Sequence, residues 1–344
     1  MEQTLTLRQR WESFQVANPK VRIRDAAKSL DSTEAELIAT TVGAGTVRLN
    51  VQFPELLKDV ESLGHVMALT RNDHCVHERQ GVYTNISFQG MMGLAVGPDI
   101  DLRLFMSQWK SGFAVDENGR KSLQFFGANG TAVHKIYLTE SSDVAAYERL
   151  VKKYEAEEQN AALLIEAAKV PATERPDAEL NAEGFQQEWL ELKDTHAFHG
   201  LLRKYEMSRI QGLRFAPGGY ADQITVPSVK KILEQVSADG VEIMVFTASA
   251  GCIQIHTGLI RKLLQTGPWF NVLDPEFNMH LREDGIATAW LVKKPTEDGL
   301  VTSIEVFDDA GNIIVQFFGK RKPGNPELET WRKITNTLAD CVKY

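Results

Sequence analysis

Apolar and polar positions along this chain alternate between two textures, and the alternation runs through twice. Residues 5–17 place Leu7, Trp11 and Phe14 at helical spacing, and 24–30 read as a second short helix. Ser32-Thr33-Glu34 precedes Leu37-Ile38, and Glu36 lies four residues after Ser32, which predicts a capped helix start. From residue 46 a period of two takes over. It predicts strands over 47–53, 65–71, 81–90, 101–105, 122–127 and 132–138, with turns at DENG (116–119) and GANG (127–130). Residues 142–168 return to helix, and the proline-bearing, apolar-poor stretch 171–184 reads as a linker. Helical segments then cover roughly 183–213, and strands run from about 223 to 318 with turns at TEDG (296–299) and DDAG (308–311). A final helix takes up 326–342.

The second pass is a copy of the first. Met67, Thr70, Cys75 and Gly81 meet Met244, Thr247, Cys252 and Gly258 at one offset (252 − 75 = 177), and Pro98 and Leu104 meet Pro275 and Leu281 in the same step. Past a four-residue insertion, Trp109 meets Trp290 and Phe126…Gly130 meets Phe307…Gly311 (290 − 109 = 181). Two copies are too few for a solenoid, so the pattern is a tandem duplicate of a globular half. Each half is expected to be α+β, an antiparallel β-sheet with flanking helices. The expected domains are 1–172 and 173–344. Duplication builds a cleft between related halves, so the informative residues are those that differ between copies.

Composition narrows the class. With 43% hydrophobic and 24% charged residues the chain is an ordinary globular protein. No apolar run reaches the roughly 20 residues of a membrane span. The opening MEQTLTLRQRWESF has no apolar core of a signal peptide. Three cysteines, an odd number, argue against a disulfide framework and for a reducing cytoplasm, with Cys75 and Cys252 as core thiols. A net charge of −8 gives no reason to expect nucleic acid as a partner. The common nucleotide-binding and hydrolase signatures are absent.

Histidines supply the first candidate chemistry. His74 and His77 flank Cys75, and His196 and His199 lie three apart in KDTHAFHG, sharing a face if helical. Zinc would need two further ligands at either pair, and for His74 and His77 a solvated loop is expected. Asp194 or Thr195 is a natural helix N-cap ahead of Phe198, Leu201 and Leu202, which places His196 near a helix start. In DIDLRLF (99–105), alternation puts Asp101, Arg103 and Phe105 on one sheet face. That face is either solvated, with Arg103 paired to Asp101, or lines a cleft where Arg103 and Phe105 meet a flat, partly anionic ligand. The repeat partner of Arg103 is His280 (280 − 103 = 177). Basic residues at Arg209, Lys293-Lys294 and GKRKPG (319–324) gather in the half that holds His196 and suit carboxylate binding.

DIDLRLF (99–105), DTHAFHG (194–200), WLVKKPT (290–296) and VQFFGKRKPG (315–324), together with the duplication, resemble the bacterial cytoplasmic hemin-degrading and heme-trafficking proteins of the HemS/ChuS type. The resemblance implies a ligand cleft between halves holding heme b (iron protoporphyrin IX). It implies His196 as axial iron ligand, with His199 as an alternative ligand one turn away. It further implies Arg103 on the opposite side of the iron, Arg209, Lys294 and Arg321 around the propionates, and Phe105 as an apolar wall. Some members carry a tyrosine near the VQxxG stretch, where this chain has Phe317 and Phe318 without a hydroxyl. The implied function is heme uptake and iron acquisition by oxygenase-like ring cleavage, with Arg103 and His196 as the reactive-side residues. The alternative is a non-catalytic chaperone delivering heme to a separate heme oxygenase. Implied partners are an electron donor protein or reductant, an inner-membrane heme transporter and that oxygenase. Heme fits this chemistry because its apolar faces and dianionic edge need one iron ligand, apolar walls and rim cations.

Overall fold

The computed structural model describes residues 5–160, 162–167, 173–322 and 324–342. The chain divides into two compact units: Met1–Arg71, Glu78–Lys169 and Ser249–Gln254 form the first, and Asn72–His77, Val170–Ala248 and Ile255–Tyr344 form the second.

The first unit opens with helices α1 (Leu7–Ala17), α2 (Ile23–Ser29) and α3 (Glu34–Ala39). Thr6 and Thr33 cap α1 and α3 through reciprocal bonds with Gln9 and Glu36, so the predicted cap of α3 sits one residue beyond Ser32. Then come β1 (Thr46–Leu49), α4 (Phe53–Asp59), β2 (Gly64–Arg71), β3 (Cys75–Val82), β4 (Ile86–Gln89), β5 (Met92–Val96), β6 (Asp101–Phe105), β7 (Ser111–Glu117), β8 (Arg120–Phe126), β9 (Ala132–Ser142) and α5 (Val144–Tyr154). The first half of β3, through His77, is counted with the second unit. Strands β1-β7-β8-β9-β2 pair antiparallel in that order, and β4-β5-β6 form a three-strand meander.

The second unit repeats the plan. It has α6 (Ala182–Leu190), α7 (Ala197–Lys204), α8 (Arg209–Arg214), β10 (Ala221–Ile224), α9 (Val226–Ala238), β11 (Ile243–Ala248), β12 (Cys252–Gly258, its residues through Gln254 counted with the first unit), β13 (Leu263–Thr266), β14 (Trp269–Leu273) and β15 (Phe277–Arg282). These are followed by β16 (Thr288–Thr296), β17 (Gly299–Phe307), β18 (Ile313–Gly319) and α10 (Glu329–Leu338). Strands β10-β16-β17-β18-β11 match the first unit's run, and β13-β14-β15 match its meander. Each unit is therefore antiparallel β-structure, a five-strand run and a three-strand meander, with flanking helices, and the α+β duplicate stands.

Several local expectations change. The helix expected over 142–168 stops at Tyr154, because the chain turns extended at Glu155 and pairs with β1. Ala156 N–H donates to Arg48 O at 2.9 Å, and the Gln159 side chain bonds both backbone groups of Arg48 at 2.8 and 2.9 Å. Residues 161 and 168, at its expected end, lie outside the described residues, as do 171–172 of the linker. The strand expected over 81–90 breaks at Asn85, whose φ of 51° lies in the left-handed region. The strand expected over 47–53 ends at Leu49, and Phe53 starts α4 with Pro54 in its first turn. Helix α9 lies within the stretch expected to be strands.

Register also relocates the insertion. The β-bulges at Phe125/Phe126 and Val306/Phe307 correspond at an offset of 181 (306 − 125 = 181). Strands β7 and β16 begin at an offset of 177 (288 − 111 = 177). The extra residues thus fall in the β16–β17 hairpin, and Trp290 takes the place of Phe113 rather than of Trp109.

Matching segments have changed units. Ser249–Gln254 packs inside the first unit: Ser249 Oγ donates to Val133 O at 2.7 Å, Trp109 Nε1 to Gly251 O at 2.9 Å, and Gln254 Nε2 to Ala68 O at 3.0 Å. Asn72–His77 packs inside the second: Asn72 Nδ2 donates to Ala248 O at 3.2 Å and to Ile314 O at 2.8 Å, and Cys75 lies 3.6 Å from the Thr247 hydroxyl. The two segments are repeat equivalents (249 − 72 = 177). His77 is fully buried on β3 with its ring edge-on to Phe277, which corrects the solvated loop expected there.

Candidate functional site

Helices α6, α7 and α8 carry an apolar cluster of Phe185, Trp189, Phe198, Leu201, Leu202 and Leu213. These residues pack on Trp290, Val292 and Phe307 of β16 and β17. Cross-strand partners share a face, so Trp290–Glu305–Gln316–Phe246 and Val292–Ser303–Phe318–Met244 form two rows on that side of the sheet. The helices cover the β16–β17 end of the rows. At the β18–β11 end, Met244, Phe246, Gln316 and Phe318 are only half-buried, and the rings of Phe246 and Phe318 lie 4.9 Å apart. An apolar shelf thus adjoins the helical layer. Sequence reading noted Phe318 only for its missing hydroxyl; the alternation in MVFTA and IIVQFFG was the available signal for the shelf. Phe317 points the other way and is buried.

His196 is the N-cap residue of α7, one or two positions beyond the expected caps. Asp194 Oδ1 accepts from His196 N at 2.9 Å and from its Nδ1 at 2.7 Å, and the imidazole side chain is 88% exposed. With a carboxylate accepting, Nδ1 carries a proton and Nε2 is the nitrogen that faces outward, the arrangement that orients a metal-ligating histidine. The Asp194 carboxyl is held below its usual range by the His196 backbone N–H, then against a burial penalty by the imidazole and by Arg321. Arg321, mostly buried, also lies 3.7 Å from Asp298. His199 sits on the exposed face of α7. Helices α1, α2 and α3 of the first unit carry no histidine, and Arg22 holds the N-cap position of α2.

The remaining rim cations are internal. Glu305, 0% exposed, accepts from Arg209 Nε at 2.7 Å and Nη2 at 2.8 Å, from Lys294 Nζ at 2.7 Å and from Ser303 Oγ at 3.2 Å. Burial would raise the Glu305 pKa, yet Arg209 and then Lys294 hold it far below the carboxylate range. Burial pushes the Lys294 ammonium down to about 8, opposed by Glu305 and reinforced by Arg209. Lys294 is 3% exposed, whereas the Arg209 side chain is 22% exposed. Both cations lie over the Phe198 ring, at 5.2 and 4.7 Å from its centroid.

In the first unit, β6 buries Leu102 and Leu104 and turns Asp101, Arg103 and Phe105 outward, as alternation predicts. Arg103 Nη1 binds the Asp101 carboxylate and donates to Leu102 O at 3.2 Å. The same face of β5 adds Val96, Leu94 and Met92, each exposed and paired with Asp101, Arg103 and Phe105 respectively. In the second unit the equivalent pair is Asn271–His280, hydrogen-bonded at 2.7 Å, so only the first unit's face is largely apolar.

The residues fit heme in kind: an oriented imidazole, an apolar shelf and arginines with partly exposed edges. A family model described as the haemin-degrading HemS.ChuX domain matches residues 31–154 and 206–338, one segment in each repeat. His196 and His199 lie between the two matches. The chain is 38% identical over 333 residues to the hemin transport protein HmuS of Yersinia pestis, covering 95% of this chain and 96% of that protein. The structure is similar to holo-PhuS, a heme-binding protein from Pseudomonas aeruginosa, with a TM-score of 0.94 and 46% identity over 96% of this chain and 97% of that one. It is also similar to the heme degrading enzyme ChuS of Escherichia coli O157:H7, with a TM-score of 0.90 and 36% identity over 96% of this chain and 98% of that one.

Proposed function

This chain belongs to the haemin-degrading HemS.ChuX family, a heme-binding and heme-utilisation family, and on that premise we propose that it captures heme through His196 and opens the porphyrin ring to release iron. The observation that carries the reading is the Asp194–His196 pair, which leaves Nε2 as the open nitrogen of an exposed ring. Met244, Phe246 and Phe318 supply an apolar surface in the same unit. Arg209 and Arg321 are the cations whose partly exposed edges can meet propionates, and Lys294 acts from beneath, as counter-charge to Glu305. Arg103, Phe105, Met92 and Leu94 offer a second apolar face with one hydrogen-bonding cation, and Arg103 is proposed to serve the reactive side. His199 is proposed as a substitute ligand.

Heme here is the substrate, and its iron supplies the redox chemistry, with dioxygen and electrons from outside the chain. The protein's own work is to bind and orient it. The electron donor is proposed to be a separate protein or reductant, and an inner-membrane heme transporter the source. A cytoplasmic setting is supported by Cys75 and Cys252, which are free thiols that burial pushes up to about 12. Among the described residues no helix is long and apolar enough to cross a membrane.

The test is to add heme, then an electron donor in air with catalase present, and to follow the Soret band and any biliverdin-like product. Catalase removes peroxide, which destroys heme without an enzyme. Product formation that survives catalase supports ring cleavage. Stable heme that passes intact to an added oxygenase supports the second reading, a heme chaperone, which is favoured by the likeness to proteins described as hemin transport and heme-binding.

A further inference from the structure

We infer that Glu305 is a positioning residue: it clamps Arg209 so that the guanidinium's outer N–H edge faces a ligand carboxylate. The inference rests on the heme reading and adds to it a residue that touches no ligand.

Arg209 is the first residue of α8, and the repeat-equivalent first residue of α3 is Glu34 (209 − 34 = 175). In the first unit Glu34 is buried and bound by Lys135 of β9 and by Arg71. The acid there is on the helix and the cations are on strands. In the second unit the polarity is inverted, with the cation on the helix and the acid on β17.

The strand position of Glu305 is Gln124 in the first unit (305 − 124 = 181). Gln124 is also buried, and its amide donates to Ser122 at 3.0 Å as Ser303 donates to Glu305 (303 − 122 = 181). The fold thus accepts a neutral amide at this strand position. The charge appears in the unit that carries His196.

Glu305 has no spare capacity for proton transfer, because Arg209, Lys294 and Ser303 occupy both of its oxygens. What it does is geometric. The fork from Nε and Nη2 fixes the guanidinium plane and turns Nη1 away from the pair. Both cations then press on Phe198, two residues after His196 on the same helix. One carboxylate therefore sets the carboxylate receptor and the seat of the helix bearing the iron ligand.

The test uses the full chain with Glu305→Gln, the residue of the sister position, and with Glu305→Gln combined with Lys294→Met, which removes the uncompensated lysine. Two readouts are taken. Without heme, the Nη resonances of Arg209 should be resolved in the parent chain and merged by rapid rotation in both variants. With heme, the parent should prefer the free acid over the dimethyl ester, and both variants should lose at least about fivefold of that preference. Unchanged guanidinium rotation, or an acid-to-ester ratio that stays at the parent value in both variants, overturns the inference while leaving heme binding intact. If the parent chain itself binds neither form, the heme reading falls and takes this one with it.

Discussion

Asp194 accepts two hydrogen bonds from a single residue, His196, one from its backbone N–H at 2.9 Å and one from Nδ1 at 2.7 Å. The backbone bond fixes where α7 begins, and the ring bond fixes which nitrogen faces outward. Helix start and imidazole orientation are thus set by one carboxylate.

His196→Ala should shift the Soret band and weaken heme binding markedly, and His199→Ala should leave the ferric spectrum nearly unchanged. Asp194→Ala should act more mildly, speeding heme loss about fivefold or less, since an exposed hydrogen-bonded pair of this kind is worth about 1 kcal/mol or less. Stopped-flow transfer of heme to an apo-globin measures all three. A His199→Ala spectrum that changes while His196→Ala does not would assign the ligand to His199.

Neutralising Arg209 or Arg321 should slow capture of free heme or speed its loss, with little effect on folding. Heme dimethyl ester should bind more weakly and respond to neither substitution. Lys294→Met should act on both forms alike, because the ammonium is turned inward to Glu305. Equal sensitivity of ester and free acid to the arginine variants counts against propionate binding at these residues.

Arg103→Ala should spare binding through His196 but move the pH titration of the ferric spectrum and slow any ring cleavage. A charged hydrogen bond is typically worth roughly 1.5–3 kcal/mol, enough for about a tenfold or larger change in rate. If spectra, titration and turnover all match the parent chain, the Arg103–Asp101 pair is a surface ion pair only.

His134 should make the chain acid-sensitive. It is buried between the Thr70 hydroxyl at 2.8 Å and the Tyr83 hydroxyl at 2.6 Å, and burial pushes its pKa down to about 3 from an ordinary 6.5. The folded state therefore binds fewer protons than the unfolded state between those values. Stability from this group is complete above about pH 6.5 and is lost as pH falls toward 3, at up to about 1.4 kcal/mol per pH unit. Urea unfolding of the parent and of His134→Gln from pH 7 to 4 checks it. The variant should start less stable and lose less, so the curves converge; parallel curves would contradict the assignment.

Much of the fold was legible where a face has a strict period. In β6 the alternation of Leu102 and Leu104 with Arg103 and Phe105 predicted both strand and face. It was less legible where tertiary pairing decides. Nothing local to Glu155 announces that it leaves a helix to meet Leu49, and the β-branched residues of VPSVKKILEQVSA concealed α9. The four inserted residues were misplaced because one Trp fell opposite another by chance, and only strand register could expose it. At the site, His196 came forward only through the resemblance carried by DTHAFHG, and Glu305 could not be read at all. Its significance depends on Arg209, 96 residues away, and on an inverted charge in the other copy.

The exchange of Asn72–His77 for Ser249–Gln254 makes the two copies hostages to each other. A fragment ending in the linker would keep Trp109, Val133 and Ala68 but lack the segment they bind, while carrying its own Asn72–His77 with no Thr247, Ala248, Phe277 or Ile314 to receive it. The economical repair is a second identical fragment donating the missing piece, a strand-swapped homodimer. The present chain has the connectivity such a dimer would acquire if its two polypeptides were joined end to end. In a single chain one copy can carry His196 and the inverted ion pair without obliging the other to match, which a symmetric homodimer could never do.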